Sequence, residues 1–368
     1  MQAPMQSTGL RVRQQLRCHP PRSGTLRAIR AVPTSTNQAF VVEQTDETWA
    51  AFGAKFAGEW EGVSVSYAAD GAPQPLPEHY VPGAYRDWGV EIRDWQTQCS
   101  CTTGDGRQLS VVLRRLMPTV GCEADAVAFT QDATTAIAGG GEAPALAYLP
   151  DGSYTTGPAS FDLVNASKLR FEACFAGPGL STEGILSNGG GAAAPAGNEE
   201  GPGPAAAQPP RYRLKVAQNL ARNWADGSWR VASVELHRER YDGPHTGRQE
   251  LAGCGGGQPT ISGLQPVPEE QLRGSWAVEG GVVLVADGGA LRPAAAGGAR
   301  GAAPIGAEGA VLTRLPLGAW SAVRADGSGN FWIESGALAE GGVRQVAARS
   351  YEGGAVKEVS LGVERLAE

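Results

Sequence analysis

Two short segments of the chain share one pattern, a Gly-x-Trp that follows an apolar residue and precedes a strand-like run. The first covers residues 56–60 (Phe-Ala-Gly-Glu-Trp) and the second covers residues 272–276 (Leu-Arg-Gly-Ser-Trp). After the first segment, Val63 to Tyr67 alternate between apolar and polar residues, as a half-buried β-strand does. The repeated pattern therefore predicts a chain built from two copies of one β-barrel plan.

The rest of the chain consists of short apolar runs separated by turn-forming residues. Its 368 residues include 52 Gly and 25 Pro, which favours strands and turns over long helices. About eight strand-like runs follow the first Gly-x-Trp and seven or eight follow the second, and eight strands can close a barrel. Trp49, Phe52 and Phe56 have helical spacing. The predicted fold class is all-β, with two tandem lipocalin-like antiparallel β-barrels and a short leading helix.

Residues 1–42 differ from the rest of the chain in charge. They contain six Arg but no Lys, Asp or Glu, which is typical of a disordered transit peptide for a chloroplast or mitochondrion. Removing six positive charges from a chain of net charge -7 leaves -13. Such an acidic protein is poorly suited to bind nucleic-acid phosphates. No apolar run approaches the ~20 residues of a membrane span, so no stable membrane insertion is expected.

Composition also sets the predicted domain boundaries. The first lipocalin-like barrel is expected over residues 45–245 and the second over 264–368, with a Gly-rich linker at 246–263. Two stretches rich in Ala, Gly and Pro lie at 187–210 and 286–309. They cannot bury enough apolar surface to offset the entropy of ordering, so each is interpreted as a disordered insertion.

The Gly-x-Trp segments resemble the closed end of lipocalin-like barrels, where an Arg of the last strand covers the Trp of the first. This contact combines cation–π attraction with hydrogen bonds to nearby carbonyl groups. By this resemblance, Arg238 or Arg240 is expected to cover Trp60, and Arg365 to cover Trp276. An ordinary buried Trp with a surface Arg is the alternative.

The stretch from residue 80 to residue 99 is the most distinctive in composition, because it concentrates aromatic residues and amides. Tyr, Trp and Arg dominate the hot spots of protein interfaces, which favours a partner surface or a barrel mouth. The same sequence also fits a strand from Trp88 to Trp95 with its Trp residues inward. The candidate partner residues are Tyr80, Tyr85, Arg86, Trp88, Trp95 and Gln96.

The sequence gives no indication of a catalytic, metal or cofactor site. It has no Walker A loop, no Gly-x-Gly-x-x-Gly after a strand and no Gly-x-Ser-x-Gly elbow. Cys99 and Cys101 would share one face of a strand at roughly 6.5 Å, which is near the upper limit for a disulfide. No Cys or His pair completes the four ligands that zinc prefers. We therefore expect buried, reduced thiols and no enzymatic activity.

Five longer segments resemble a plant and cyanobacterial family typified by the chloroplast biogenesis factor required for ATP synthase. The segments are 80–99, 116–125, 230–241, 315–320 and 359–364. The resemblance spans residues 45–368 apart from the two insertions. It implies two lipocalin-like barrels, a location in the chloroplast stroma and no catalytic residues. It also implies a role in assembling the ATP synthase catalytic head, with its beta and gamma subunits as partners.

Two functions follow as expectations. The first is a non-enzymatic assembly factor that binds incompletely assembled subunits. The alternative is a lipocalin-like carrier of a small hydrophobic ligand, such as a tetrapyrrole, a carotenoid or a fatty acid. A pigment-attaching lyase is a weaker third reading, because no general acid or base can be assigned. A hollow barrel lined with a few polar groups would favour the carrier, whereas a filled barrel would favour the assembly factor.

Overall fold

The computed structural model describes most of the chain from residue 40 onward. The described residues are 40–120, 128–138, 144–176, 211–247, 258–287, 290–294, 305–326 and 328–367. For Phe40 and Val41 only the backbone is described. The predicted transit peptide, apart from residues 40–42, and the predicted insertion at 187–210 lie outside these ranges. The prediction of a disordered segment over residues 1–42 is wrong at its end, because Phe40–Val41 forms a strand that pairs with Gly280 and Gly281.

A short α-helix leads into the first barrel, as predicted. Helix α1 spans Asp46–Phe56 and begins at a capping box, in which Thr45 and Thr48 each accept a hydrogen bond from the other's amide. Phe52 and Phe56 are fully buried and stack on each other at 4.9 Å. Both belong to the hydrophobic cluster inside the barrel, so this face of α1 covers one end of it.

Nine strands, β2 to β10, form a closed barrel in the order β10-β2-β3-β4-β5-β6-β7-β8-β9. Neighbouring strands are antiparallel except β5 and β6, which pair in parallel. The strands are β2 Gly58–Tyr67, β3 Asp94–Gly104, β4 Gln108–Leu116, β5 Phe129–Ala138, β6 Ala145–Tyr148, β7 Tyr154–Gly157, β8 Lys168–Ala176, β9 Tyr212–Arg222 and β10 Trp229–Gly243.

The connection between β2 and β3 contains two helical turns and is irregular over residues 88–93, where a strand was predicted. It contains a 3-10 turn at Glu78–Tyr80 and a short helix α2 at Gly83–Asp87. The strand predicted from Trp88 to Trp95 therefore begins only at Asp94. Pro82 directly precedes α2, and its fixed backbone angle favours this kind of turn over an extended strand. A second 3-10 turn, Asp105–Arg107, joins β3 to β4.

A second sheet follows, preceded by a single helical turn, α3 (Glu269–Leu272). Seven strands follow the path β1-β11-β17-β16-β15-β14-β13, and β12 pairs with β11. Strand β1 comes from the start of the described chain and pairs in parallel with β11. The strands are β1 Phe40–Val41, β11 Trp276–Asp287, β12 Ala290–Pro293, β13 Val311–Arg314, β14 Ala319–Ala325, β15 Phe331–Ala339, β16 Val343–Glu352 and β17 Ala355–Leu366.

The fold is thus mainly β, with one closed barrel and a second sheet. The second predicted insertion, 286–309, is wrong at its start, because residues 286–287 end β11 and residues 290–293 form β12. Backbone pairing between Leu291 and Ala286 holds this hairpin, and Leu291 is buried in the main core. Backbone pairing and the burial of Leu291 therefore order a segment that composition alone predicts to be disordered.

One hydrophobic core joins the barrel to the second sheet. Strands β2, β9 and β10 contribute Val63, Leu214 and Leu236, while the second sheet contributes Val282 and Leu361. All five are at most 1% exposed. Alternate residues of the same barrel strands point into the barrel, where a separate cluster lies. Both faces of these three strands are therefore buried.

Hydrogen bonds between buried side chains and backbone carbonyls also cross from the second sheet to the barrel. Gln218 of β9 donates to the Glu334 carbonyl, and Gln345 of β16 donates to the Ala176 carbonyl, both at 2.7 Å. The buried Arg349 of β16 donates to two barrel carbonyls at 2.7 Å. These directional bonds fix how the sheet sits on the barrel.

The predicted flexible linker is packed over its last six residues, 258–263. Ile261 is fully buried in the main core. The amides of Ile261 and Ser262, at 2.6 and 3.2 Å, and the Ser262 hydroxyl all donate to the Asp94 carboxylate. Residues 248–257 of the linker lie outside the described residues. The expectation of two barrels on a free tether is therefore wrong for this part of the chain, because β3 anchors it.

Candidate functional site

Trp60 lies inside the barrel at the end covered by α1. It is 3% exposed, and its indole nitrogen donates to the Phe56 carbonyl at 3.1 Å. The guanidinium carbon of Arg213 lies 3.9 Å from the centre of its ring. The predicted cation–π contact is therefore present, but its Arg comes from β9, the next-to-last strand of the barrel.

The prediction that Arg238 or Arg240 covers Trp60 is wrong. Tyr241 is the residue of β10 directly opposite Trp60, and their rings contact each other at 5.3 Å. Side chains alternate along a strand, so Arg238 and Arg240 point to the outside of the barrel, away from Trp60. Arg240 forms an ion pair with Glu61 instead.

The prediction that Arg365 covers Trp276 in the second sheet is also wrong. Trp276 is partly buried, and its indole nitrogen donates to the Leu272 carbonyl at 3.3 Å. Arg344 of β16 lies over its ring at 4.2 Å. Arg365 pairs with Glu279 on the partly exposed side of β17. Again the covering Arg belongs to the next-to-last strand.

The barrel and the second sheet share this arrangement in detail. Arg213 donates from Nε to Glu239 of β10 at 2.6 Å, and Arg344 donates from Nε to Glu364 of β17 at 2.7 Å. The glycine two residues before each Trp has a positive φ, 138° and 135°. A Gly-x-Trp, an Arg of the next-to-last strand and a Glu of the last strand therefore recur as one unit.

In the barrel, the Arg–Glu pair belongs to a larger buried charge cluster. Glu239 lies between Arg213 and Lys215, with an ion-pair distance of 2.6 Å to each, and all three side chains are 1% exposed. Burial alone would raise the pKa of Glu239, but the two cations lower it to about 2. The cluster is therefore charged at neutral pH in a place that water does not reach.

Two thiols face the same cations. The sulfur atoms of Cys99 and Cys101 are 3.5 Å apart, and Arg213 Nη2 lies 3.2 Å from Cys101 Sγ and 3.7 Å from Cys99 Sγ. Lys215 Nζ lies 3.9 Å from Cys99 Sγ. Burial would raise the pKa of Cys101, but the hydrogen bond from Cys99 and the charge of Arg213 lower it to about 7. Of the two thiols, Cys101 therefore loses its proton more readily, because the pKa of Cys99 is raised by its hydrogen bond with Cys101 and by burial.

The expectation of buried thiols is confirmed for the cysteines that the structure describes. Cys99, Cys101 and Cys174 are buried and free. Burial raises the pKa of Cys174 well above its usual range despite the nearby Arg213. Cys101 therefore differs from Cys174, although both lie in the barrel. The remaining cysteines, Cys18, Cys122 and Cys254, lie outside the described residues.

Further along the barrel interior, Glu235 organises a second polar network. It accepts from Arg170 at 3.0 Å, from Asn219 at 3.0 Å and from Arg115 at 3.2 Å. His237 Nε2 lies 3.3 Å from the same carboxylate. Burial lowers the pKa of His237 despite that carboxylate, so its imidazole is neutral at pH 7. This network reaches the solvent at Arg170, whose side chain is 40% exposed.

The six predicted partner residues lie at or near this outer end but do not form one cluster. Tyr80 contacts Trp95 at 5.2 Å, and Tyr85 contacts Trp88 at 5.8 Å, each edge to face. Arg86 is exposed and lies 4.0 Å from Glu78, whereas Gln96 donates to the Gln258 carbonyl at 3.4 Å. Only Trp88 combines a large aromatic ring with high exposure, at 63%.

Exposed apolar side chains recur in the other connections at this end of the barrel. Barrel strands alternate in direction except β5 and β6, which are parallel, so the β2–β3, β4–β5, β7–β8 and β9–β10 connections all lie at one end, the end opposite α1. Each of the four exposes at least one large apolar side chain. We call this set the apolar rim: Trp88, Val90, Val120, Phe129, Val164 and Trp224.

Two polar contacts fix neighbouring parts of the apolar rim to each other. The Tyr85 hydroxyl donates to the Thr119 carbonyl at 2.7 Å, which joins the first two connections. Arg222 donates to the Val164 carbonyl at 2.7 Å and lies over the Trp224 ring at 5.0 Å, which joins the last two. The apolar side chains are therefore presented on loops that are fixed in pairs.

Sequence reasoning missed the buried charge cluster, although one signal was present. Residues 212–216 alternate strictly as Tyr-Arg-Leu-Lys-Val, and such a strand is normally oriented with its charged face toward water. Here Leu214 and Val216 pack toward the second sheet, so Arg213 and Lys215 face the barrel interior. Among the described residues, no group of three His, Cys, Asp or Glu side chains could hold a metal ion.

The chain was compared with family models, with curated proteins and with solved structures. No family model matches the chain, and no curated protein matches it. A crystal structure of a protein of unknown function from the DUF3598 family, from Nostoc punctiforme, is similar with a TM-score of 0.46 and 14% identity. The match covers 88% of this chain and 100% of that protein. No described helix is long and apolar enough to cross a membrane.

Proposed function

We propose that the protein is a non-enzymatic assembly factor that holds other protein subunits at the apolar rim. The observation that carries this proposal is the exposure of Trp88 (63%) and Trp224 (62%) on loops that are each tied to a neighbouring loop. Large exposed apolar side chains on one end of a soluble domain favour a binding surface. Trp is also the residue most enriched at interface hot spots.

The barrel interior supports a role for the outside of the molecule. Phe52, Phe56 and Trp60 occupy the end near α1, and the ion pairs of Glu239 with Arg213 and Lys215 lie beyond them. A carrier of a tetrapyrrole, carotenoid or fatty acid needs a mainly apolar lining. A buried row of charged side chains is a costly neighbour for such a ligand, so the carrier is the weaker proposal.

The partners proposed are the beta and gamma subunits of the chloroplast ATP synthase catalytic head, and the location is the chloroplast stroma. This part of the proposal rests on the family resemblance of the five segments. The first of these segments, 80–99, contains Trp88 of the apolar rim, and the second, 116–125, contains Val120. The resemblance and the exposed surface therefore involve the same connections.

The finer fold is also a proposal: the second sheet is a diverged copy of the lipocalin-like barrel plan. Its support is the recurrence of the Trp–Arg–Glu unit, with Arg344 over Trp276 and paired to Glu364. A unit of three residues from three different strands would recur by duplication far more readily than by chance. In this copy, one face of the sheet packs on the first barrel.

The test is a binding measurement with purified subunits. Trp88→Ala should weaken binding to the beta or gamma subunit at least about tenfold, as expected for a hot-spot residue. Val278→Ala removes a side chain of 43% exposure on the second sheet and should leave the affinity unchanged. Both variants should melt like the wild type, since neither side chain is buried.

The possible results distinguish an error in the named partners from an error in the proposed docking surface. Binding that Trp88→Ala and Trp224→Ala leave intact would refute the apolar rim as the docking surface. Lack of binding to either subunit, together with recovery of other stromal proteins that depends on Trp88, would refute the named partners but keep the surface. Recovery of no protein from stroma at low salt would refute the assembly role.

A further inference from the structure

The Cys99–Cys101 pair lies in an environment that neither the docking surface nor the core packing requires. Apolar burial makes a cysteine inert, whereas a neighbouring cation favours the thiolate, which is the reactive form. Arg213 Nη2 is 3.2 Å from Cys101 Sγ, and Lys215 Nζ is 3.9 Å from Cys99 Sγ. Two sulfur atoms 3.5 Å apart beside two cations form a site for thiol chemistry.

We propose that Cys99 and Cys101 are an oxidisable dithiol, in which Cys101 reacts with hydrogen peroxide and Cys99 then closes a disulfide with it. Burial selects the oxidant, because both thiols are at most 1% exposed. A molecule close to water in size can enter during local opening of the barrel, whereas a protein oxidant cannot reach the sulfur atoms.

The first step is the oxidation of the Cys101 thiolate. Its sulfur attacks one peroxide oxygen, so an S–O bond forms and the O–O bond breaks. The products are the sulfenic acid of Cys101 and a hydroxide ion, so sulfur is oxidised while peroxide oxygen is reduced. Arg213 Nη1 is buried and has no hydrogen-bond partner among the described residues. It is thus placed to donate to the leaving oxygen and stabilise its charge.

The second step forms the disulfide. The Cys99 sulfur attacks the sulfenic sulfur of Cys101, the S–O bond breaks, and the oxygen leaves as water with the Cys99 proton. In total, one thiolate, one thiol and one peroxide give one disulfide, one water and one hydroxide. Residues two apart on a strand lie near the upper limit for a disulfide, and such strained bonds are the labile ones. The bond should therefore be easily reduced.

Oxidation would also change the charge balance of the site. The disulfide carries no charge, so Arg213 and Lys215 lose one of the anionic groups near them and keep Glu239. A buried cation without a full set of partners is destabilising. We therefore expect the oxidised protein to unfold at a lower temperature than the reduced protein.

Mass spectrometry of tryptic peptides tests the proposal on the full chain. Residues 94–107 form one peptide that contains Cys99 and Cys101 and no other cysteine. After treatment of the folded protein with hydrogen peroxide and blocking of free thiols in urea, this peptide should have lost two hydrogen atoms and carry no blocking group. Reduction in urea should restore both thiols. Cys174, whose pKa burial raises, is the internal control and should react at least about tenfold more slowly.

Two conservative variants identify the roles. Cys99→Ser should stop at the sulfenic acid of Cys101, which dimedone labels once the protein is unfolded in urea, whereas Cys101→Ser should give neither a disulfide nor a label. The proposal is overturned if the wild-type peptide keeps both thiols while Cys174 is oxidised, if dimedone labels Cys99 rather than Cys101, or if Cys101 proceeds to the sulfinic acid without a disulfide. The wild-type measurement stands even if a variant fails to fold.

Discussion

Glu239 allows the strongest test of the barrel interior, through the variant Glu239→Gln. The substitution keeps the shape of the side chain but removes the charge that Arg213 and Lys215 share at 2.6 Å each. Removing one partner of a buried ion pair costs about 3–5 kcal/mol, because the other charge stays buried without compensation. Two cations depend on this one carboxylate, so we expect a loss of unfolding free energy toward the upper part of that range.

The pKa of Glu239 gives the pH dependence of the same interaction. The two cations lower it from 4.5 to about 2, and each unit corresponds to about 1.4 kcal/mol, so the ionised form is favoured by about 3 kcal/mol. Because the pKa is lower in the folded state, this stabilisation is fully present above pH 4.5. It is lost as the pH falls from 4.5 toward 2, and Glu239→Gln should lack this part of the acid dependence.

Urea denaturation followed by circular dichroism, repeated between pH 7 and pH 3, measures both effects. The matched control is Glu61→Gln, whose partner Arg240 has a side chain that is 44% exposed, so the expected loss is at most about 1 kcal/mol. If Glu239→Gln and Glu61→Gln cost the same at pH 7, or if the wild type and Glu239→Gln lose stability in parallel on acidification, the buried charge cluster does not support the barrel as described.

Three further predictions concern packing and can be checked by thermal or urea unfolding. Trp60→Ala should lower the free energy of unfolding by about 3–5 kcal/mol, because it leaves a cavity in the core beside Arg213. A loss under about 1 kcal/mol would contradict its role as a core residue. Gly62→Ala should destabilise the protein strongly, because a Cβ there would lie 2.0 Å from the Arg238 carbonyl oxygen. Gly104→Ala is the control and should be nearly neutral, because a Cβ there meets open space. Equal losses of stability in the two variants would refute the close pairing of β2 and β10. Arg349→Met should cost about 1–3 kcal/mol by leaving buried carbonyls unpaired, and an unchanged midpoint would show that these bonds do not hold the second sheet to the barrel.

The sequence predicted the helices and strands better than it predicted which of their faces are buried. Local alternation and spacing are sufficient to find a strand such as β2 and the helix α1. They cannot show that both faces of a strand are buried, which depends on the second sheet packing on the outside of the barrel. For this reason Arg213 and Lys215, which alternate with Leu214 and Val216, were not recognised as interior residues.

The covering Arg residues illustrate a second limit, which is strand register. Whether Arg240 or Tyr241 faces Trp60 depends on a shift of one residue in the pairing of β10 with β2. Nothing local to β10 fixes that register; the β-bulge between Tyr241 and Gly243 is a product of the whole barrel. The motif therefore predicted the kind of contact correctly but not the strand that supplies it.

Strand β1 has a consequence for the order in which the protein can fold. The backbone of Phe40–Val41 pairs with Gly280 and Gly281, and the Val42 amide donates to the Gly281 carbonyl at 2.7 Å. The whole nine-strand barrel lies between β1 and β11 in the chain, so this pairing closes a very long loop. Contacts between such distant parts of a chain form slowly, so docking of β1 should be among the last events of folding.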